Sequence, residues 1–450
     1  MADLKITLVG GGSFAWAPGL VGDFLGNKGL AGARVVLHDL NPEPLVLAHQ
    51  LALKYQQLTG FPITFERTTD PAAALDGADF VVVTISTGGL RTMRPDLEIP
   101  EKYGIFQTVG DTCGPGGLSR ALRNVPVFLR MAQEMERRCP DAWMLNVSNP
   151  LCALTRAVTR ETGIKALGLC HGVTGVARTY ARFFGAELAE CSYVNTGIDH
   201  CSWFTDFRVR GRCAQEMLRE RGIDAWLAKP PAEAKQDPEF GALYDLRCGL
   251  LLWRHFGALP AIGDRHLVEF FPTFLQGQDN VTRYGLVRTS IADRERYYAN
   301  ARARIERLLS GEEKLEIQEA TDVVGERQSD DIAAWIVALR GGQPVEDNLN
   351  APNLGQVPEL PRGAIVETRG VLDGSGFHPL VSPLPQALVP VVLPHVAREE
   401  LTVEAALEGS FEKALAVLAS DPLLMGIENA RPMLEELLAA NRDWLPQFAR

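Results

Sequence analysis

Residues 4–15 set the first constraint on the fold. LKITLV is a short, uniformly apolar stretch that runs straight into Gly10-Gly11-Gly12, and Ser13-Phe14-Ala15 follow before a helical pattern begins. A strand that is apolar on both faces belongs inside a parallel sheet, where helices cover both sides. Glycines at its carboxyl end allow a tight turn and the close approach of backbone amides to a ligand. The same apolar pattern recurs at 33–39, 63–67, 79–85, 142–148 and 164–169, with helical patterns such as 43–58 and 119–138 between. Strand–helix alternation with right-handed crossovers predicts an α/β fold, a Rossmann-type doubly wound parallel sheet of the lactate/malate dehydrogenase kind.

After about residue 200 the pattern changes. VNTGIDH and WFTDFRVRG read as antiparallel strands, and helical patterns follow at 241–256, 290–309, 330–341, 399–418 and 430–448. The stretch 344–398, rich in Pro, Asn and Gly, reads as extended loops with one strand, AIVETRG. We expect a nucleotide-binding domain over 1–195 and a mixed α/β substrate and metal domain over 196–450.

Charge narrows the partners. The net charge is −11 with no block of lysine or arginine, which argues against nucleic acid and anionic membrane surfaces. The start has no basic-then-apolar signal region, and the apolar stretch 378–395 is interrupted by Pro379, Pro383, Pro385, Pro390 and Pro394. A soluble, cytoplasmic protein is expected. The eight cysteines form no CxxC pair, which speaks against a disulfide framework or a zinc knuckle.

The turn Gly10, Gly12, Ser13 and Phe14 has the GxGxxG/A form in its proper strand–helix context, with the phosphates of a dinucleotide expected at the helix start. Asp39 ends the second strand, where a carboxylate holds ribose hydroxyls and repels a 2′-phosphate, so NAD is favoured over NADP. Thr84, Ser86 and Asn146 close later strands on the same carboxyl edge, towards the nicotinamide. A glycine-rich turn without function is the bland alternative.

The sixth strand ends in LGLCHGV, residues 167–173, and thirty residues later comes TGIDH. A strand-end cysteine, Cys170, and a histidine, His200, can hold a divalent metal with an open shell for substrate oxygens. A buried core thiol and a satisfied core histidine are the alternative. Two more segments gather ionisable groups. One is GDTCGPGG with Asp111, followed by Arg120 and Arg123 on a helix; the other, Gly263–Phe271, packs Asp264, Arg265, His266 and Glu269 beside aromatics. A solvated helix face and a charged surface turn are the respective alternatives.

Together these motifs resemble glycoside hydrolase family 4, the NAD- and manganese-dependent glycosidases. The glycine turn, GDTCGPGG with LRNVPV after it, NVSNP, GLCHG, GIDH and the closing helices occur in the family's order over nearly the whole chain. The resemblance implies Cys170 and His200 as ligands for Mn2+ or another divalent metal, and Asn149 near substrate hydroxyls. It also implies a route in which NAD takes hydride from C3 of the sugar, a base removes the C2 proton, the group at C1 leaves with help from an acid, water adds, and the hydride returns. Asp264 is the expected base and His171 the expected acid, with Asp111 in the catalytic set. Cys-His-Gly-Val most resembles the branch acting on α-linked uronic acids, and Arg120 or Arg265 would hold the carboxylate, with His266 also facing substrate. The family has Asn before the metal histidine where this chain has Asp199, which adds a negative charge beside the metal and is counted with the substrate-facing residues. A homodimer or homotetramer is implied by analogy. Open alternatives are a family member for neutral α-glucosides or α-galactosides, a lactate/malate-type dehydrogenase, and a non-catalytic NAD-binding protein.

Overall fold

A computed structural model describes residues 4–316 and 332–449 of the chain; Met1–Asp3 and the first two positions of the expected 330–341 helix lie outside them. The six early apolar segments form β1 (Lys5–Val9), β2 (Arg34–His38), β3 (Thr64–Thr68), β4 (Phe80–Val83), β5 (Trp143–Asn146) and β6 (Lys165–Gly168). They pair in parallel in the order β3-β2-β1-β4-β5-β6. The order reverses between β1 and β4, and a crevice opens there outside the strand carboxyl ends. Every residue of β1 and β4 is buried, as their uniform apolarity requires; Lys5 is accommodated because its ammonium donates to the carbonyls of Ala73 and Asp76.

The second half builds a hairpin, β7 (Cys191–Ile198) and β8 (Cys201–Val209), joined by β9 (Arg212–Cys213) and β10 (Leu259–Pro260) into a four-stranded sheet. Ile198 pairs with Cys201, so Asp199 and His200 form the whole turn.

Four expectations for this half are corrected. The stretch 344–398 holds three strands, β11 (Val345–Pro352), β12 (Ile365–Asp373) and β13 (Gly376–Pro379), which continue the first sheet antiparallel beyond β6 to nine strands. β11 escaped because its buried face is polar: Asn348 donates to the Tyr193 hydroxyl (3.1 Å) and Asn350 to Glu367 (3.2 Å). The proline-rich stretch is helical from Val389 to Glu408, with Pro390 in the first turn, where its missing N–H costs nothing. The expected 399–418 helix is therefore two, parted at Gly409 (φ 64°), with Ser410 capping Phe411–Ala419. Likewise 430–448 is helical only to Ala440, and 240–246 is a 3-10 segment ahead of the helix Arg247–Phe256. Among the described residues no helix is long and apolar enough to cross a membrane.

Candidate active site

The glycine turn lies at the crevice. Gly10 and Gly11 donate to the His38 carbonyl (both 2.9 Å), and Gly12 donates to Asp39 Oδ2 (3.1 Å). Gly10 sits at φ 91°, and a Cβ there would meet the Thr84 carbonyl oxygen at 2.2 Å; one on Gly12 would meet Asp39 Oδ2 at 2.8 Å. The turn thus locks β1 against β2 and β4 with no room for side chains, so that the chain can come close to a ligand along this wall. Asp39 also accepts from Asn41 N–H (3.0 Å). Thr84 and Ser86 follow β4 on the same wall. Asn146 stands apart: it is fully buried behind the wall, where it shapes the next turn by accepting from Ser148 N–H (2.8 Å) and donating to Thr155 (3.2 Å).

A single cleft of about 2380 Å³ runs from this turn to the ends of β5 and β6, and Gly10, Gly12, Ser13, Asp39, Ser148, Asn149, Cys170, His171, His200 and His266 all face it. At its far end two groups of candidate ligands share His200. Within each, Cys170–Asp199–His200 and Asp111–His200–His266, the ligand atoms lie within 4.8 Å of one another. Residues from both expected domains meet here, Asp111 and Cys170 from 1–195, His200 and His266 from 196–450.

Several contacts fix this arrangement. His200 adopts φ 63°, a left-handed conformation that costs energy for a non-glycine residue and recurs at functional turns. Its Nδ1 is 2.7 Å from Thr112 Oγ1, and its ring stacks on His266 with centroids 3.7 Å apart. Thr112 also donates to Asp111 (2.8 Å), Asn149 donates to Asp111 (3.2 Å), and Arg120 Nε donates to the Asn149 carbonyl (2.9 Å). Burial alone would raise the Asp111 carboxyl, but His266, His200 and Arg120 outweigh it and hold the group well below its usual range. Burial also pushes both imidazoles down. Asp199 is pushed up to about 7 by burial and by the charge of Asp111.

His171 caps the helix Gly172–Phe183 and is partly exposed to the cleft, 6.2 Å from the Trp16 ring. Arg265 bonds to the Thr289 hydroxyl (2.6 Å) at the cleft's edge. Arg123 is no solvated residue: it is buried in an ion pair with Asp96 that ties two helices together.

Asp264, the expected base, lines the cleft and is held by backbone. Its two oxygens accept from the backbone amides of Cys248 (2.7 Å) and Gly249 (2.8 Å), at the start of the helix Arg247–Phe256. The carboxylate anchors that helix end, and burial pushes it up to about 7 despite those bonds. Two residues with site roles went unassigned from sequence, although both lie inside the quoted motifs. Thr112 orients His200, and Glu269 accepts from the amides of Val109 (2.7 Å) and Gly110 (2.8 Å), setting the loop that carries Asp111. Tyr297 and Tyr298, from the helix Ile291–Ser310, also line the cleft, with no sequence signal to announce them.

The profile of family 4 glycosyl hydrolases matches residues 5–185, and that of the family's C-terminal domain matches residues 195–424. The chain belongs to glycosyl hydrolase family 4. It is therefore a glycoside hydrolase. An α-galacturonidase of Thermoanaerobacterium saccharolyticum is 31% identical over 98% of this chain and 97% of the relative. An α-galactosidase of Rhizobium meliloti is 29% identical over 100% of this chain and 90% of the relative. The fold matches a 6-phospho-α-glucosidase from gut microorganisms, solved with NAD and Mn2+, at a TM-score of 0.81 and 20% identity, over 99% of each chain.

The residues present fit both groups that family 4 enzymes use. The side-chain-free turn at Gly10–Gly12 suits a pyrophosphate. At the other end, the Asp199 carboxylate is fully buried beside the Cys170 thiol and His200, an arrangement a cation would complete.

Proposed function

We propose that this family 4 glycoside hydrolase cleaves α-linked uronides, galacturonides or glucuronides, using NAD and a divalent metal such as Mn2+ in one cleft. The observation that carries this reading is the convergence of a nucleotide cradle and a Cys170–Asp199–His200 ligand group in a single cavity. Glycosidases that work by acid–base chemistry alone need two carboxylates and no dinucleotide cradle. When bound, the nicotinamide supplies reversible hydride exchange at C3, and the cation supplies charge stabilisation at the neighbouring sugar oxygens.

The chain's own groups handle the protons. His266 replaces Asp264 as the base for C2. Burial pushes its ring down, it faces the cleft, and its Nδ1 lies 3.9 Å from the Asp111 carboxylate, which favours the imidazolium once the proton has arrived. His171 faces the cleft from a helix N-cap and delivers a proton to the glycosidic oxygen. Asn149, oriented by Asp111 and Arg120, takes the sugar hydroxyls.

Arg120 is the better placed of the two arginines for a substrate carboxylate. Its terminal nitrogens make no hydrogen bond among the described residues and face the cleft beside Asn149, whereas Arg265 is turned to Thr289. The α-galacturonidase at 31% identity supports the acidic sugar; the α-galactosidase at 29% supports a neutral α-galactoside as the second reading. A panel of nitrophenyl α-glycosides with NAD, Mn2+ and reductant separates them. Cleavage of the α-galacturonide or α-glucuronide in preference to neutral and phosphorylated sugars is expected. Preference for a neutral sugar overturns the uronide assignment.

A further inference from the structure

Asp199 occupies a position that the cysteine–histidine pair does not explain. It is one of the two turn residues between β7 and β8, its side chain is fully buried, and the Cys170 thiol and, at 3.5 Å, His200 Nδ1 lie beside its carboxylate. A buried carboxylate is among the costlier things a fold can hold, unless a cation or proton completes it. Its oxygen lies within 4.8 Å of both the Cys170 thiol and a His200 ring nitrogen, the mutual spacing that ligands of one ion require. The neighbouring His200 is held in a left-handed conformation, φ 63°, within that cluster.

We infer that Asp199 is a third protein ligand to the divalent cation. The inference rests on the metal site proposed above and adds to it. With a thiolate and a carboxylate, the protein's donors neutralise a divalent charge; a thiolate and an imidazole leave half of it uncompensated. The carboxylate is also a hard donor, suited to Mn2+ or Mg2+, where thiolate favours softer ions. The site therefore binds Mn2+ more tightly than the cysteine–histidine pair alone would, and it discriminates less against hard cations.

The test is calorimetric titration of Mn2+ into the metal-stripped full-length protein, for wild type, Asp199→Asn, Asp199→Ala and Cys170→Ala. The melting temperature in chelator reports whether each variant is folded, and the upward shift on adding Mn2+ gives a second readout without catalysis. Both Asp199 variants are expected to bind Mn2+ at least about tenfold more weakly and to lose most of that shift. Wild-type affinity in folded Asp199→Asn and Asp199→Ala, with weakened Cys170→Ala, overturns this inference and leaves the metal site standing. Wild-type affinity in Cys170→Ala overturns the metal site itself, and this inference with it.

Discussion

The two ends of the cleft are built by different means. At the nucleotide end the surface is backbone: a turn of glycines clamped between β2 and β4, with its polar groups paired to neighbouring carbonyls and to Asp39. At the other end it is side chains from five separated segments, carrying Asp111, Asn149, Cys170, His200 and His266, with the Asp199 carboxylate buried beside the Cys170 thiol and His266 Nδ1 left unpartnered. The first end is satisfied without its ligand. The second is incomplete without one. A backbone cradle is tuned by excluding side chains, so substitutions there act sterically, through the fold and the cofactor together. A side-chain cluster stores its cost in unpaired polar groups and shifted ionisations, so substitutions there act on chemistry while the fold persists.

Four changes test that contrast, in falling order of effect. His266→Gln should lower kcat by about a hundredfold to ten-thousandfold, the usual range for a lost general base, with Mn2+ affinity and melting temperature close to wild type. Activity near wild type would move the base elsewhere. Gly10→Ala should do the reverse, destabilising the fold by about 2 kcal/mol or more and weakening NAD in the same step, because its Cβ falls 2.2 Å from the Thr84 carbonyl. Chemical denaturation and NAD titration read both, and unchanged stability would break the steric account.

Arg120→Lys keeps the charge and loses the fork. It should lower kcat/KM for the uronide by about tenfold relative to a neutral glycoside. An equal loss on both substrates would make Arg120 a support for Asn149 alone. Glu269→Gln gives the smallest effect. Burial pushes Glu269 up to about 7, opposed by the Val109 and Gly110 amides. A carboxyl whose folded value is raised binds its proton more tightly when folded. Its stabilising contribution is therefore full below about pH 4.5 and fades as the pH rises to about 7. The variant should flatten the pH dependence of stability in that window by at most about 1.4 kcal/mol per pH unit. Identical profiles for the two proteins would show that the site's acid groups do not hold that burden.

Sequence pattern located the parallel half of the fold because its signals are local. Apolar runs ending in glycine or in Asn-Val-Ser-Asn-Pro mark strands and their carboxyl ends wherever they occur. Strand-end logic likewise placed Cys170 and His171 on the cleft, and the GIDH hairpin brought His200 and Asp199 beside them. What escaped depends on distant partners. β11 is polar because Asn348 and Asn350 answer Tyr193 and Glu367 across the sheet, so it has no apolar period to find. Asp264, read as the base, gives no sign in its own segment that its oxygens accept from amides 15 and 16 residues earlier. Thr112 and Glu269 are significant only through His200 and the Val109–Gly110 amides, contacts that span 88 to 160 residues.

The central claim is that both ends of the cleft serve one reaction on one sugar. Cleavage of a nitrophenyl α-galacturonide in D2O, with Mn2+ and with or without NAD, tests it most directly. The account predicts NAD-dependent turnover, deuterium at C2 of the released sugar, and no net NADH. Turnover that persists after NAD is removed, or product without deuterium at C2, would contradict it.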